Sequence, residues 1–288
     1  MWIQHFLCDR YQRVIAGGRL SSWSTVQSGV PQGSVLPPLL FCLFVDNLQA
    51  VCKNSLMFKY ADDVNILHFI RHGSEDELQT EWDNVSNWST EVRLPINMLK
   101  CNILDVVTKR SLTPVPVFAD DFPIPQVLSL KLLGVTFTHD LKWDSHYKLA
   151  LTKASKRIFL IRNLRRSDCP THLLLQAYKV FVRSIILYAF PTICNAPSFL
   201  KNKLLRFERR ILRIVGCDTN TFPSIIESGE ELCQRLFAKV SVNPSHPLRQ
   251  CFASRPDTSR RLRKTSLDIR PVRAKTKRLH NSFVRFCR

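Results

Sequence analysis

The sequence predicts an α+β chain: an antiparallel sheet with helices over residues 1–143, an all-helical region over 144–218, and a linker with a basic tail of little intrinsic order over 219–288. Three observations carry this. Short β-prone runs punctuated by Gly and Pro fill the first stretch, and apolar stripes of helical period fill the second. From Arg235 onward fifteen Lys and Arg face two acids, Asp257 and Asp268.

In the first stretch Gly29 and Gly33 bracket Pro31 and Gln32, which forces a tight backbone turn, and the apolar run 35–45 behind it suits a buried helix. Taken alone this is a Gly-Pro turn before a hydrophobic helix. Two β-prone runs, 56–60 and 64–69, flank Ala61, Asp62 and Asp63 and read as a hairpin carrying adjacent carboxylates. Oxygen-rich carboxylate sites suit Mg²⁺ or Mn²⁺, although an Asp pair at a turn also serves as solvated turn chemistry.

In the middle region Leu151, Ala154, Ile158 and Ile161 form one apolar stripe, with Lys153 and Lys156 opposite. A second helix begins near Pro170, runs through Leu174, Tyr178, Phe181, Ile185 and Tyr188, and stops at Pro191. A third sets Leu204, Phe207, Ile211 and Ile214 against Arg206, Arg209, Arg210 and Arg213, and Gly216 suits its left-handed end. Charged faces are often merely solvated. Four arginines with a single Glu208 among them favour a phosphate-facing ridge.

The composition narrows the partners. Forty-two basic against 23 acidic side chains leave a net charge of +19, which repels itself unless a polyanion or anionic surface is near. The run 35–45 is too short to cross a membrane, and 173–190 is interrupted by Lys179 and Arg183. Without a basic leader, apolar stretch and cleavage site, the chain is expected to be intracellular, in nucleus or cytoplasm. The basic runs 260–264 and 273–278 bind polyanions generally and do not by themselves mark nuclear import. Ten cysteines scattered without C-x-x-C pairs or zinc spacing read as reduced thiols filling cores.

GVPQG at 29–33, an apolar helix, and YADD at 60–63, with Gly33 and Asp62 twenty-nine positions apart, together resemble the palm of a reverse transcriptase of the non-LTR retrotransposon class. The likeness continues through FLCDRYQRV at 6–14, LPINMLKC at 94–101, the hairpin region 132–147, and the helical stretches 153–164 and 177–196, covering about residues 2–216. It implies a partial polymerase palm followed by a helical thumb. It implies that Asp62 and Asp63 are catalytic and ligate Mg²⁺ or Mn²⁺, that Gln32 and Gly33 pack beneath the templating base and nucleotide, and that Lys100 protonates the pyrophosphate leaving group. Leu133, Gly134, Val135 and Thr136 would form the primer grip, with RNA template, DNA primer and deoxynucleoside triphosphates as partners and no membrane. It assigns no oligomeric state.

Two departures qualify the resemblance. The family's other catalytic aspartate lies on a strand upstream of the part that 6–14 resembles, and neither it nor the fingers are among these residues. The chain is therefore expected to be a truncated RNA-directed DNA polymerase, inactive by itself; the alternative is a noncatalytic nucleic-acid-binding remnant. Pro37 stands where the family has glycine, at a helix start that tolerates proline. A second FADD pattern at 118–121 is hemmed by Pro114, Pro116, Pro123 and Pro125 and reads as a surface hairpin.

Overall fold

A computed structural model describes residues 2–70, 76–106, 115–218, 222–254 and 269–270. These fall into two compact units, one running to Ile103 and including 115–126, the other made of 104–106 and the chain from Val127 onward. Both mix helices with small antiparallel ribbons, as α+β predicts. The basic runs 260–264 and 273–278 lie outside the described residues.

The first unit opens with α1 (Trp2–Leu7) and a two-part ribbon in which β1 (Arg10–Gln12) pairs with β4 (Ser24–Val26), and β2 (Ile15–Ala16) with β3 (Arg19–Leu20). Helix α2 (Pro37–Phe44) has proline in its first turn, where the missing N–H costs nothing. Next come β5 (Ser55–Tyr60) and β6 (Asp63–His68), paired over all six residues, then α3 (Leu78–Glu91). A short ribbon, β7 (Phe118–Ala119) with β8 (Phe122–Pro123), closes the unit. Its small core joins Val117, Ala119 and Ile124 to Leu78, Trp82, Cys101 and Ile103.

The single antiparallel sheet expected over 1–143 is not what forms. Among the described residues every sheet is two-stranded. Leu56, Phe58, Tyr60 and Leu67 share one face of the β5–β6 ribbon by register and alternation, and all four are exposed. The apolar alternation that predicts a covered sheet face is present, but among the described residues no further strand pairs with this ribbon and the face is exposed.

The second unit begins with the hairpin β9 (Ser129–Leu132) and β10 (Val135–Thr138), followed by α4 (Asp144–Arg166). The division falls earlier than residue 143 because Val135 packs in the helical core and Phe137 meets Trp143 edge-on at 5.6 Å. On α4 the expected stripe Leu151, Ala154, Ile158 and Ile161 is buried, with Lys153 and Lys156 outside. The next helix departs from its predicted stripe. It runs as α5 (Thr171–Tyr178), a π-turn (Lys179–Arg183) and α6 (Ser184–Leu187). The π-turn inserts an extra residue into the repeat, so Val182, Arg183 and Ile186 turn inward while Phe181 and Tyr188 are exposed.

After α7 (Phe190–Ile193) comes α8 (Ser198–Val215), ended by Gly216 at φ 79°. Gly216 and Cys217 both donate their N–H to Leu212 O, so the predicted left-handed stop is present. The linker and tail expected from 219 instead hold an 18-residue helix, α9 (Ile225–Val242). A capping box starts it: Glu227 N–H donates to Ser224 Oγ and Ser224 N–H to Glu227 Oε2. Gly229 lets α9 lie against Phe190, whose ring atoms come within 2.4–2.5 Å of where a Cβ would stand. Basic composition hid a helix whose start signal is short and local.

Candidate active site and nucleic-acid interface

The register of β5 and β6 pairs Tyr60 with Asp63, which leaves Ala61 and Asp62 as a two-residue turn, Ala61 being left-handed at φ 51°. Asp62 therefore stands at the tip and Asp63 opens the following strand, both exposed. The hairpin is tied at both ends. Near the tip, Lys59 Nζ donates to the carbonyls of Val45, Asp46 and Leu48 at 2.9, 3.0 and 2.8 Å, just past the C-terminus of α2 where cations are favoured.

At its base, the Glu81 carboxylate from α3 accepts N–H bonds from Cys52 at 2.7 Å and Val51 at 3.1 Å, beside Ser55. Burial opposes the charge of Glu81, but the N–H of Cys52, the Ser55 hydroxyl and the N–H of Val51 outweigh it and hold its pKa below the ordinary glutamate value. A carboxylate depressed on folding contributes stability above its unfolded pKa and loses it as pH falls through the folded one. Urea unfolding followed between pH 7 and pH 3 should therefore show a loss in the acid limb that Glu81→Gln reduces; identical pH profiles would contradict this role.

The GVPQG loop precedes α2. Gly33 has φ 87°, a conformation that side chains disfavour, and nothing stands within 4 Å of where its Cβ would be. Gln32 and Gly33 are exposed. Arg10 joins this loop to the segment 6–14 by donating to Gly29 O at 2.5 Å and Leu7 O at 2.9 Å. Lys100 ends a 3₁₀ turn (Met98–Lys100) capped by Asn97, whose Oδ1 accepts from Leu99 N–H. It is exposed, and among the described residues no ion pair links it to Asp62 or Asp63. Asp120 and Asp121 form the turn of the β7–β8 ribbon, and both are exposed. Gln79 pins that ribbon from α3 by exchanging hydrogen bonds with the backbone of Phe118.

In the second unit Leu133 and Gly134 form the two-residue turn of the β9–β10 hairpin, at φ 46° and 84°. Both are exposed, whereas Val135 and Thr136 are buried. Thr136 N–H donates to Nδ1 of buried His146, whose pKa is lowered by desolvation and then by Lys153, in keeping with a neutral acceptor. Of the primer-grip candidates, only the two turn residues present a surface.

Arg206, Arg209, Arg210 and Arg213 are all exposed on α8. Glu208, which the sequence sets among them, points inward and is 4% exposed, so it neutralises none of that face. Beside this face a groove of about 550 Å³ lies between α4 and α8, lined by Lys148, Leu151, Thr152, Ser155, Lys156 and Lys203, with no acid. Lys148, Thr152 and Lys156 recur every fourth residue, a helical-face signal that the apolar stripe overshadowed.

Asp62 and Asp63 offer the hard oxygen donors that Mg²⁺ or Mn²⁺ prefers. Among the described residues no group of three or more Asp, Glu, His or Cys is placed to hold a metal. The pair fits such an ion in donor chemistry, and further ligands must complete the set.

Residues 1–137 match the family model for reverse transcriptase (RNA-dependent DNA polymerase). The chain is 34% identical over 44% of its length to the "probable RNA-directed DNA polymerase from transposon X-element" of Drosophila melanogaster, covering 14% of that protein. It is 26% identical over 74% of its length to the counterpart named for transposon BS, covering 25% of it. Against the "RNA-directed DNA polymerase from mobile element jockey" of Drosophila funebris the identity is 25% over 84% of this chain and 29% of the relative. The chain thus spans less than a third of each of these curated relatives. No solved structure matches it. Residues 1–137 thus carry the likeness to reverse transcriptase, and the relatives that share it are named as RNA-directed DNA polymerases of mobile elements.

Proposed function

We propose that the chain supplies the carboxylate hairpin of the palm and the helical thumb of an RNA-directed DNA polymerase, which extends a DNA primer on an RNA template with deoxynucleoside triphosphates. The observation that carries this is the tip of the β5–β6 hairpin: Asp62 and Asp63 stand exposed on a turn braced by Lys59 and Glu81, inside the segment that matches the family. Asp62 and Asp63 hold Mg²⁺ or Mn²⁺ together with oxygen ligands from outside the described residues. Such an ion lowers the pKa of the primer 3′-hydroxyl and offsets triphosphate charge. Gln32 and Gly33 sit beneath the templating base and nucleotide, and Lys100 Nζ gives a proton to the departing pyrophosphate oxygen. The turn of Leu133 and Gly134 steadies the primer end.

The test is RNA-templated primer extension by residues 1–288 fused behind the part of the BS-transposon polymerase that precedes its matching region. The fused protein should incorporate nucleotides, while residues 1–288 alone should give essentially none, because one carboxylate hairpin leaves the metal site short of ligands. A fused protein that folds and binds template but incorporates nothing would contradict the proposal.

A second reading, noncatalytic nucleic-acid binding, is favoured by the exposed arginines of α8 and the lysine-lined groove beside them. Each neutralised phosphate releases condensed counterions, so log affinity falls against log salt with a slope of roughly 0.7–0.9 per contact. Changing Arg206, Arg209, Arg210 and Arg213 to Gln should flatten that slope by up to about 3. The apolar stripe beneath is untouched, so helicity should stay. An unchanged slope on single-stranded RNA would show that this face does not meet phosphate.

A further inference from the structure

We infer that Tyr188 is a positioning residue for the primer end, acting through the turn of Leu133 and Gly134. The inference rests on reading the β9–β10 hairpin as the primer grip and goes beyond it by naming what holds that turn.

The π-turn at Lys179–Arg183 shifts the helical repeat by one residue, which takes Tyr188 out of the buried stripe predicted for it and leaves it 53% exposed at the end of α6. From there its hydroxyl donates to Leu133 O at 2.6 Å. Its ring lies against Gly134, with Cε1 3.1 Å from where a Cβ would stand. Two features make this contact more than incidental packing. Leu133 is left-handed at φ 46°, a conformation that a Cβ-bearing residue disfavours, so a hydrogen bond to its carbonyl helps to hold the turn. The peptide between Leu133 and Gly134 is also the one that the β9–β10 pairing leaves outside its ladder.

Fixing Leu133 O fixes the plane of that peptide, and with it the direction of the Gly134 N–H. This N–H makes no hydrogen bond among the described residues and sits at an exposed turn. A trans peptide directs its N–H opposite to its carbonyl. With Tyr188 on the carbonyl side, the N–H is offered on the other side, as a donor suited to a phosphate oxygen of the primer. The side chain at position 134 has to be absent for two reasons: the left-handed backbone at φ 84° and the Tyr188 ring beside it.

The test uses the full 288-residue chain with a primer annealed to an RNA template, the primer ending in a photoreactive 4-thiothymidine, and compares the unchanged protein with Tyr188→Phe. The phenylalanine keeps the ring and removes only the hydroxyl, and circular dichroism with amide exchange verifies that the helical unit is intact. The unchanged chain should cross-link to the peptide containing 129–138. In Tyr188→Phe that yield should drop by about fivefold or more, while overall affinity, measured by anisotropy, stays within about twofold. Equal cross-linking by both proteins overturns the role of Tyr188 and leaves the primer-grip reading standing. Absence of cross-linking to that peptide in the unchanged chain overturns the primer-grip reading, and the inference with it. A fall in affinity that parallels the fall in cross-linking also overturns it, since positioning predicts that the two separate. As a second measurement, the Gly134 amide signal should move on adding primer and template in the unchanged protein and not in Tyr188→Phe; movement in both overturns the inference.

Discussion

Glu208→Ala should destabilise the helical unit by about 3–5 kcal/mol, because it strands a buried guanidinium. Glu208 is 4% exposed and its two oxygens serve different elements: Oε1 accepts the Tyr178 hydroxyl at 2.8 Å and Oε2 accepts the N–H of Ile225, the first residue of α9, at 2.8 Å. Arg183 Nε lies 3.8 Å away. That arginine, 5% exposed, also donates to Pro223 O and to Ser228 Oγ, and stacks 4.9 Å over the Phe222 ring. The Tyr178 hydroxyl is pushed far above its ordinary pKa by burial and then by the Glu208 charge, so it stays a donor. Without the carboxylate, the network that seats α9 on α5 and α8 has a charge with no counter-charge. Urea unfolding monitored by circular dichroism should show the shift, with amide exchange rising first in Ile225–Val242. Replacing Glu208 and Arg183 together by Leu and Met should recover much of the loss, since an apolar pair carries no desolvation cost. A single-mutant loss under about 1 kcal/mol would mean that water reaches Arg183.

The second large effect concerns chemistry. In the fused polymerase, Asp62→Asn should lower single-turnover incorporation on the order of 10³-fold or more, equivalent to about 4 kcal/mol of transition-state stabilisation. Asparagine keeps the size and one oxygen but loses the charge that holds a divalent cation. Asp62 is exposed at the tip of a two-residue turn and forms no ion pair among the described residues, so its neutralisation should leave folding and template binding within about twofold. Loss of incorporation with binding kept is the signature of a metal ligand. Parallel loss of both would assign Asp62 a structural part.

What could be read from the chain and what could not divides along the range of the interactions. The stripe on α4 was legible because Leu151, Ala154, Ile158 and Ile161 meet one continuous core and nothing interrupts the period. The stripe through Phe181, Ile185 and Tyr188 failed because the π-turn brings Arg183 inside to meet Glu208, a partner 25 positions on, and local periodicity carries no trace of that contact. For the same reason Glu208 looked like a member of the arginine face. Helix α9 was legible in principle, since Ser224 followed by Glu227 is a capping-box signal, but the basic composition from Arg235 onward masked it. At the candidate site the turn of Ala61 and Asp62 follows from β-prone flanks and is present as expected. The braces from Lys59 and Glu81 that hold it were not legible, because each depends on which backbone groups the fold leaves unpaired.

We propose that Asp62, and not Asp121 of the similar hairpin, is the catalytic carboxylate. Both sit in exposed two-residue turns, so turn chemistry alone does not separate them. The direct measurement is RNA-templated incorporation by the fused protein carrying Asp62→Asn or Asp121→Asn, at matched protein and template concentrations with template binding measured in parallel. Asp62→Asn should abolish incorporation, whereas Asp121→Asn, a substitution at an exposed turn, should stay within about twofold of the unchanged protein. Equal loss from both changes, or activity that survives Asp62→Asn, would contradict the proposal.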